Sequence, residues 1–393
     1  MTLDKLTQLR IELSKMFIQR DLEVDAVLAS LISGEPCILV GEPGTAKTKI
    51  IETMSKMINA KYFYYLMTRY TEPDEILGPI DIVKLREQGI YERKIEGRLL
   101  TSDIAFLDEI FKTGSATRNI LLDIILNKRY INGSRTIPVN MLTLYSASNE
   151  VSTDIEDWAF YDRLTIRKFV KSVGYDSWME LLKAECLLEA NHHNQHMLMD
   201  TKEVKALQTA VQTLYTSLAK NETILSKAVQ TFHVLEREGL HLTDRRKGKV
   251  LKVACAYAIL NSSNNITLDD LADALRVTAI NDEDDTKKVA KAISECGLSS
   301  FLEAQKKIEQ LETELKNMMS KVESNLDNIS ASDLKAISTL ANKLTATIKS
   351  APKNPRIKPV VSQAIQTLKK AQELQEMIIG QLTPIETFLE EGE

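Results

Sequence analysis

Cysteine is scarce and scattered in this chain. Cys37, Cys186, Cys255 and Cys296 are the four in 393 residues, and no CxxC pair is present to hold zinc or exchange thiols. They read as small buried hydrophobes in a reducing compartment. No apolar run approaches the 18 residues of a membrane-spanning helix, and the opening Met1-Thr2-Leu3-Asp4-Lys5 lacks a signal-peptide core. A cytoplasmic protein without a membrane partner is therefore expected. Excess basic charge is missing too: 50 Lys and Arg against 55 Asp and Glu leave a net charge of −5, which argues against nucleic acid as the dominant partner. His192, His193 and His196 have metal-like spacing, but no cysteine or carboxylate cluster supports them, so they read as a solvated surface. What is present is ordinary for a globular protein, with 44% hydrophobic and 27% charged residues. The length exceeds what one hydrophobic core usually serves, so two or three domains are expected.

The chemistry sits in the segment Gly41-Glu42-Pro43-Gly44-Thr45-Ala46-Lys47-Thr48, directly after the apolar run Cys37-Ile38-Leu39-Val40. A strand feeding such a loop suits a phosphate cradle. Glycines let consecutive N–H groups converge on an anion, and the positive end of the following helix faces the same point. Lys47 would reach the β- and γ-phosphates, and the Thr48 hydroxyl would ligate Mg²⁺. Glycine usually precedes this lysine; Ala46 stands there and is read as a variant that tolerates a helical backbone. A second apolar run, Ile104-Ala105-Phe106-Leu107, ends in Asp108-Glu109. A buried strand would carry both carboxylates to the sheet edge where open α/β folds bind ligands. Asp108 would then serve Mg²⁺ through water, and Glu109 would polarise the attacking water. Asn149, at the end of the run Thr143–Ser148, is placed to bond the γ-phosphate and that water. The guanine-reading pattern is absent, since Asn127-Lys128 is followed by Arg129-Tyr130.

Strand-like runs recur at 37–40, 62–67, 104–107, 141–146 and 164–170 with helical patterns between, which predicts a parallel sheet covered on both faces. Beyond about residue 171 the pattern is all helical, with N-caps at Thr243 and Thr267. The acidic run Asp282–Asp285 reads as a solvated linker. From Phe301 apolar residues alternate at spacings of three and four (Ala304, Ile308, Leu311, Leu315, Met318, Val322), a short heptad seam. Two more helices are expected at 332–350 and 360–382, separated by a proline-punctuated break. The domains expected are thus 1–171 (α/β), 172–290 (all-α) and a helical hairpin or three-helix tail over 296–393.

Two arginines stand out. Arg163 leads into the last strand, where an isolated arginine is by default a salt-bridge residue. Arg245 and Arg246 open a helix, where basic residues oppose the dipole unless an anion is near; Arg245 is the better phosphate-sensing candidate.

Taken together, these motifs resemble the AAA+ ATPases, and among them the MoxR family near its RavA branch. The segments that carry the likeness are Gly41–Thr48, Thr68-Arg69-Tyr70-Thr71-Glu72-Pro73-Asp74-Glu75-Ile76-Leu77-Gly78-Pro79, Phe106–Lys112 and Asp162-Arg163. The likeness runs to about residue 285. It implies a P-loop NTPase core followed by a helical lid, with ATP and Mg²⁺ as cofactors and a homohexameric ring as the working assembly. Lys47 and Thr48 fill the Walker A roles, Asp108 and Glu109 the Walker B roles, and Asn149 is sensor 1. Arg163 is the finger given to the neighbouring subunit, and Arg245 is sensor 2 in the same subunit's lid. Residues 78–98 match the helix-2 insert, expected as two strands (82–85 and 90–94) about Gln88-Gly89. Residues 128–139 match the pre-sensor-1 hairpin, turning at Asn132-Gly133, with Tyr130, Arg129 and Arg135 as client contacts. The implied output is remodelling of a protein partner, in this family often one with a von Willebrand factor A domain. Two alternatives stand beside it: a nucleic-acid motor gripping phosphates through Arg93, Lys94, Arg129 and Arg135, and an ATP-gated scaffold whose tail binds.

Overall fold

Alternating apolar runs and amphipathic segments give the strands β1 (Cys37–Gly41), β2 (Tyr62–Leu66), β3 (Ile104–Asp108), β4 (Arg129–Asn132), β5 (Arg135–Pro138), β6 (Thr143–Ser148) and β7 (Ile166–Val170). The helices preceding and between them are α1 (Thr2–Met16), α2 (Asp21–Ser33), α3 (Lys47–Met57), α4 (Pro73–Leu77), α5 (Ile82–Gln88), α6 (Ser115–Asn127) and α7 (Ile155–Tyr161). After β7 come α8 (Trp178–Ala190), α9 (Thr201–Ser217), α10 (Glu222–Arg237), α11 (Asp244–Leu260), α12 (Leu268–Thr278) and α13 (Asp285–Glu295). The structure, a computed structural model, describes residues 2–152, 155–190, 196–298, 300–323, 331–351 and 358–390. The chain divides into two units, Met1–Cys296 and Gly297–Glu393. Among the described residues no helix is long and apolar enough to cross a membrane.

Five strands form one parallel sheet in the order β2-β3-β6-β1-β7. The central strand β6 is buried along its whole length, and its neighbour β1 over Cys37–Val40. Such burial on both faces explains why these strands read as unbroken apolar runs rather than alternating ones. One core cluster joins Ile38, Val40, Ala105, Leu107 and Leu144 of the sheet to Leu121 and Ile124 of α6. Parallel register puts the ends of β1, β3 and β6 at one edge, with Val40 beside Ser148 and Leu107 beside Ser146.

Two buried polar clusters tie the helices after β7 to the sheet. Glu35, just ahead of β1, accepts from Lys249 Nζ (2.7 Å), Lys252 Nζ (2.8 Å) and Thr165 Oγ1 (3.1 Å). Burial would raise its pKa, but the two ammonium groups outweigh that and hold the carboxyl below the usual range. The second cluster centres on Arg167 of β7, which is fully buried over the ring of Tyr161, 3.8 Å from its centroid. Its guanidinium donates to Leu164 O (3.0 Å), Tyr161 O (2.6 Å), Ile280 O (3.0 Å) and Asn281 Oδ1 (2.6 Å). Arg246 of α11 reaches the same place, donating to Asn281 Oδ1 (2.6 Å), Ile280 O (3.2 Å) and Thr278 O. Asp285 is buried there as well and accepts from Asn281 N (3.0 Å). The acidic run is therefore not simply a solvated linker: its last residue closes this cluster.

Two further readings change. Cys37, Cys255 and Cys296 are buried, but Cys186 on α8 is exposed. The segment 82–85 is the start of helix α5 rather than a strand, and only an isolated bridge, Ile80 with Arg93, pairs the two arms. The cause is local capping. The Asp81 carboxylate accepts from Val83 N (3.1 Å) and Lys84 N (3.3 Å), and Gly89 ends the helix at φ 66°. The β4–β5 hairpin turns at Gly133-Ser134 with Asn132 opposite Arg135. Asn132 also fastens the preceding insert, accepting from Arg93 N (2.7 Å) and donating to Arg93 O (3.3 Å). A Cβ on Gly133 would lie 2.1 Å from Tyr91 O, so glycine is required by that neighbour as well as by the turn.

The second unit holds α14 (Ser300–Glu323), α15 (Ala331–Ser350) and α16 (Lys358–Glu390). The proline break lies largely outside the described residues. Ile308 and Leu315 of the seam meet Ile337 and Leu344 of α15, and Ala364, Ala371 and Leu374 of α16 complete the core. A polar pair is buried within it: Thr367 Oγ1 donates to Glu312 Oε1 at 2.8 Å.

Candidate nucleotide site

The loop after β1 has the shape of an anion cradle. Gly41 packs so tightly on β7 that a Cβ there would lie 2.1 Å from Val170 O, and Gly44 takes φ 79°. Ala46 lies at φ 64°, ψ 15°, in the left-handed region and not in the right-handed helical conformation. That costs a residue with a Cβ on the order of 1 kcal/mol, and it explains why glycine is usual here. Ala46→Gly is expected to raise stability by less than about 1 kcal/mol, because glycine's looser unfolded chain offsets part of the relief. Urea melts of the two proteins check this; a loss of stability would contradict it.

Lys47 Nζ turns into the cradle and donates to Gly41 O (2.6 Å) and Glu42 O (2.7 Å). Burial pushes its pKa down, opposed by the charges of Asp108 and Glu109. Thr48 Oγ1 stands 3.4 Å from Asp108 Oδ2. These are two hard oxygens that one Mg²⁺ shell can share, directly or through water. Glu109 follows at φ 54°, with its N–H donating to Asp108 Oδ1 (3.0 Å) and its carboxylate 3.5 Å from Lys112 Nζ. A left-handed non-glycine residue at such a turn is the strain often found where a side chain must be aimed. Asn149 leaves the end of β6 into the same space.

The result is a cleft of about 500 Å³ lined by Pro43–Lys49, Asp108, Glu109, Asn149 and Glu185. Gly41 and Glu42 are not in the lining but hold Lys47 through their carbonyls, and Thr45 Oγ1 donates to Glu42 O at 2.8 Å. Sequence reasoning missed Glu185. It is an exposed acid on α8, brought to the rim by tertiary packing, and no spacing signal marks it.

The two expected arginines are not in the lining. Arg163 donates through Nη1 to Ala159 O, and its Nε is buried without an acceptor. Arg245 is 45% exposed and lies 3.8 Å from Asp162, the neighbour of Arg163 in the chain. Asp162 also accepts from Thr243 Oγ1 at 3.2 Å. Arg245 is thus paired with the Asp162 carboxylate, whereas the Arg163 guanidinium is turned to a backbone carbonyl. Arg246 is committed to the buried cluster.

The hairpin residues stand in different settings. Tyr130 packs on the core cluster, Arg129 is exposed, and Arg135 stands 3.4 Å from Glu92. Arg93 is half-buried and ion-paired to Asp74, whereas Lys94 is exposed and lies 3.8 Å from Asp81. His192 and His193 lie outside the described residues; His196 is exposed.

Residues 4–209 match the model of the MoxR domain found in MoxR–vWA–β-propeller ternary systems. An uncharacterised protein of Methanocaldococcus jannaschii is 36% identical over 289 residues, 73% of this chain and 74% of that relative. A protein of Mycobacterium tuberculosis named as a MoxR chaperone is 25% identical over 128 residues, 33% of each chain. Among solved structures, a protein of Cytophaga hutchinsonii, itself assigned as an ATPase by inference, superposes with a TM-score of 0.60 at 18% identity. That superposition covers 75% of this chain and 94% of the other, and it shows a shared fold of an α/β core with an all-α extension.

Proposed function

This chain belongs to the MoxR family, and from that premise we propose that it is a Mg²⁺-dependent ATPase that assembles head to tail and remodels a protein partner. The observation that carries the reading is the cleft: a phosphate cradle, the Thr48–Asp108 pair, Glu109 and Asn149 meet in one space. Bound ATP–Mg²⁺ supplies the γ-phosphoryl group and its metal. Lys47 neutralises phosphate charge, Thr48 and Asp108 hold the metal shell, Glu109 orients and polarises the water, and Asn149 fixes that water against the γ-phosphate. Catalysis here is positioning and charge neutralisation.

The absence of Arg163 from the cleft lining fits a finger offered to a neighbouring copy. Arg245 pairs with Asp162 outside the lining, and it keeps the proposed role of sensor 2 for its own subunit's site. A hexameric ring is the proposed assembly. The proposed partner is a protein with a von Willebrand factor A domain, as in the ternary systems whose MoxR model matches this chain; the RavA-like features of the phosphate loop do not alter that choice. The proposed domain bounds remain 1–171, 172–290 and 296–393, and the proposed compartment is the cytoplasm.

Glu109→Gln should bind ATP–Mg²⁺, stall before hydrolysis and hold its partner. Affinity isolation of that variant from its native cells with ATP–Mg²⁺, with and without nuclease, is the test. A nuclease-resistant protein carrying a von Willebrand factor A domain is expected. Nuclease-sensitive nucleic acid instead would replace this reading with a motor, and an assembly holding nothing would point to a scaffold.

A further inference from the structure

One buried charge in the first unit has no partner. Arg20, the residue ahead of α2, is 6% exposed. Among the described residues its guanidinium makes no hydrogen bond and no ion pair, and it does not cap the helix it precedes. The other buried arginines are all engaged: Arg167 and Arg246 with Asn281, and Arg118 with Asp157 and Phe111 O. A guanidinium carries five donors and a charge that resists losing water, so a buried one without acceptors marks a place that an anion fills. The backbone around it is fixed. Arg20 N donates to Phe17 O (3.1 Å), and Val24 N donates to Arg20 O (2.8 Å).

Topology carries Arg20 to the phosphate loop. Only Gly34, Glu35 and Pro36 separate α2 from β1, so the helix runs back along the strand it packs on. Its start therefore lies at the edge where β1 delivers the loop. Helix α2 also packs on β7, whose Val170 O presses on Gly41 at that edge. Side chains tie the segments together: Ser172 Oγ donates to Glu42 Oε2 (3.0 Å), Gln19 Nε2 donates to Ser177 Oγ (2.6 Å), and Gln19 Oε1 accepts from Gly174 N (3.3 Å). The Arg20 charge is felt at Lys47. Burial lowers the Lys47 pKa, Asp108 and Glu109 raise it, and Arg20 lowers it again. Two neighbouring cations repel until an anion lies between them. Arg20 is not in the cleft lining itself, and its three-methylene stem supplies the reach from beside the loop. The sheet order β2-β3-β6-β1-β7 sets Asp108, Glu109 and Asn149 on one side of the loop and Arg20 on the other. The γ-phosphate belongs with the first group, which leaves Arg20 to the phosphates nearer the ribose. We infer that Arg20 holds the α- and β-phosphates of the bound nucleotide, across the cradle from the attacking water. The inference rests on the proposed ATPase reading and adds a phosphate ligand from outside the phosphate loop.

The test compares the full wild-type chain with Arg20→Met and Arg20→Lys. Each is titrated with the Mg²⁺ complexes of ATP, ADP and inosine diphosphate, and each is melted in urea without nucleotide. Methionine keeps an apolar stem and removes the charge. Arg20→Met should bind all three nucleotides about 10- to 100-fold more weakly, the loss expected for hydrogen bonds between charged groups. Arg20→Lys should lose less, because the ammonium keeps the charge but not the fork. Without nucleotide, Arg20→Met should be at least as stable as wild type, since no partner is lost and an unpaired buried charge is removed. Affinities within two-fold of wild type would overturn the inference. So would a nucleotide-free Arg20→Met protein clearly less stable than wild type, which would reveal a partner in the empty protein. A loss confined to ATP would move Arg20 to the γ-phosphate, and a loss confined to the adenine nucleotides would move it to the base; either result refutes the assignment. Wild-type protein that binds none of the three would count against the ATPase reading, which is a separate failure.

Discussion

Arg163→Ala is expected to lower ATP turnover by about 10³- to 10⁵-fold, the range an arginine supplied from a neighbouring chain contributes in other nucleotide hydrolases, while ATP affinity stays within a few-fold of wild type. The split follows from the geometry. Every group lining the cleft belongs to the phosphate loop, the start of α3, the ends of β3 and β6, or α8, so binding does not need Arg163. Transition-state charge does, if the neighbour delivers it. Arg163→Lys should rescue little, because an ammonium lacks the planar fork that spans two phosphate oxygens. Mixing Arg163→Ala with Glu109→Gln subunits gives a sharper readout. Neither turns over alone, yet the first has an intact cleft and the second an intact arginine, so paired subunits should recover activity. Loss of ATP binding in Arg163→Ala, or a silent mixture, would remove Arg163 from this role.

The parts of this protein that could be read in advance are those where one local rule decides the outcome. Buried parallel strands are apolar on both faces, so the runs at 37–40 and 104–107 announced β1 and β3. The phosphate loop was legible because its chemistry demands a fixed order of residue types. The conformation of Ala46 was not, since the residue name does not reveal its positive φ. In the insert, the family resemblance and the Gln88-Gly89 turn suggested two strands; a single carboxylate, Asp81, capping two N–H groups turned the first arm helical. Glu185 had no signal at all, because its place in the cleft is a product of packing. Arg245 and Arg246 show a signal that was present and unused. On a helix, Arg246 shares a face with Val250 and Val253, both fully buried, whereas Arg245 shares one with Lys249 and Lys252. That periodicity already placed Arg246 inside and Arg245 outside.

The same contrast yields an expected stability result. Arg246→Ala should cost about 3–5 kcal/mol, the range for removing one member of a buried charged network, whereas Arg245→Ala should cost under about 1 kcal/mol. Arg246 is 2% exposed and its guanidinium is the donor to Thr278 O and a donor to Ile280 O and Asn281 Oδ1. Truncation takes that donor from Thr278 O, leaves Ile280 O and Asn281 Oδ1 to Arg167 alone, and opens a cavity too deep for bulk water to repair. Arg167 does not compensate. It already donates to Ile280 and Asn281, and its repulsion with Arg246, added to burial, is why Arg246 is driven down to a pKa of about 9. Methionine tests how much of the cost is unpaired acceptors rather than lost volume, since Arg246→Met refills part of the space without a donor. If acceptors dominate, Met and Ala variants should lose similar stability in urea melts. Because the cluster joins β7 and α7 to the segments after α12 and the start of α11, both variants should also weaken the seat of Thr243, whose hydroxyl contacts Asp162. Their turnover should then fall through disordering of the Asp162–Arg163 segment, with ATP affinity preserved. A fully stable Arg246→Ala protein would show that this buried cluster does not hold the helical part to the sheet.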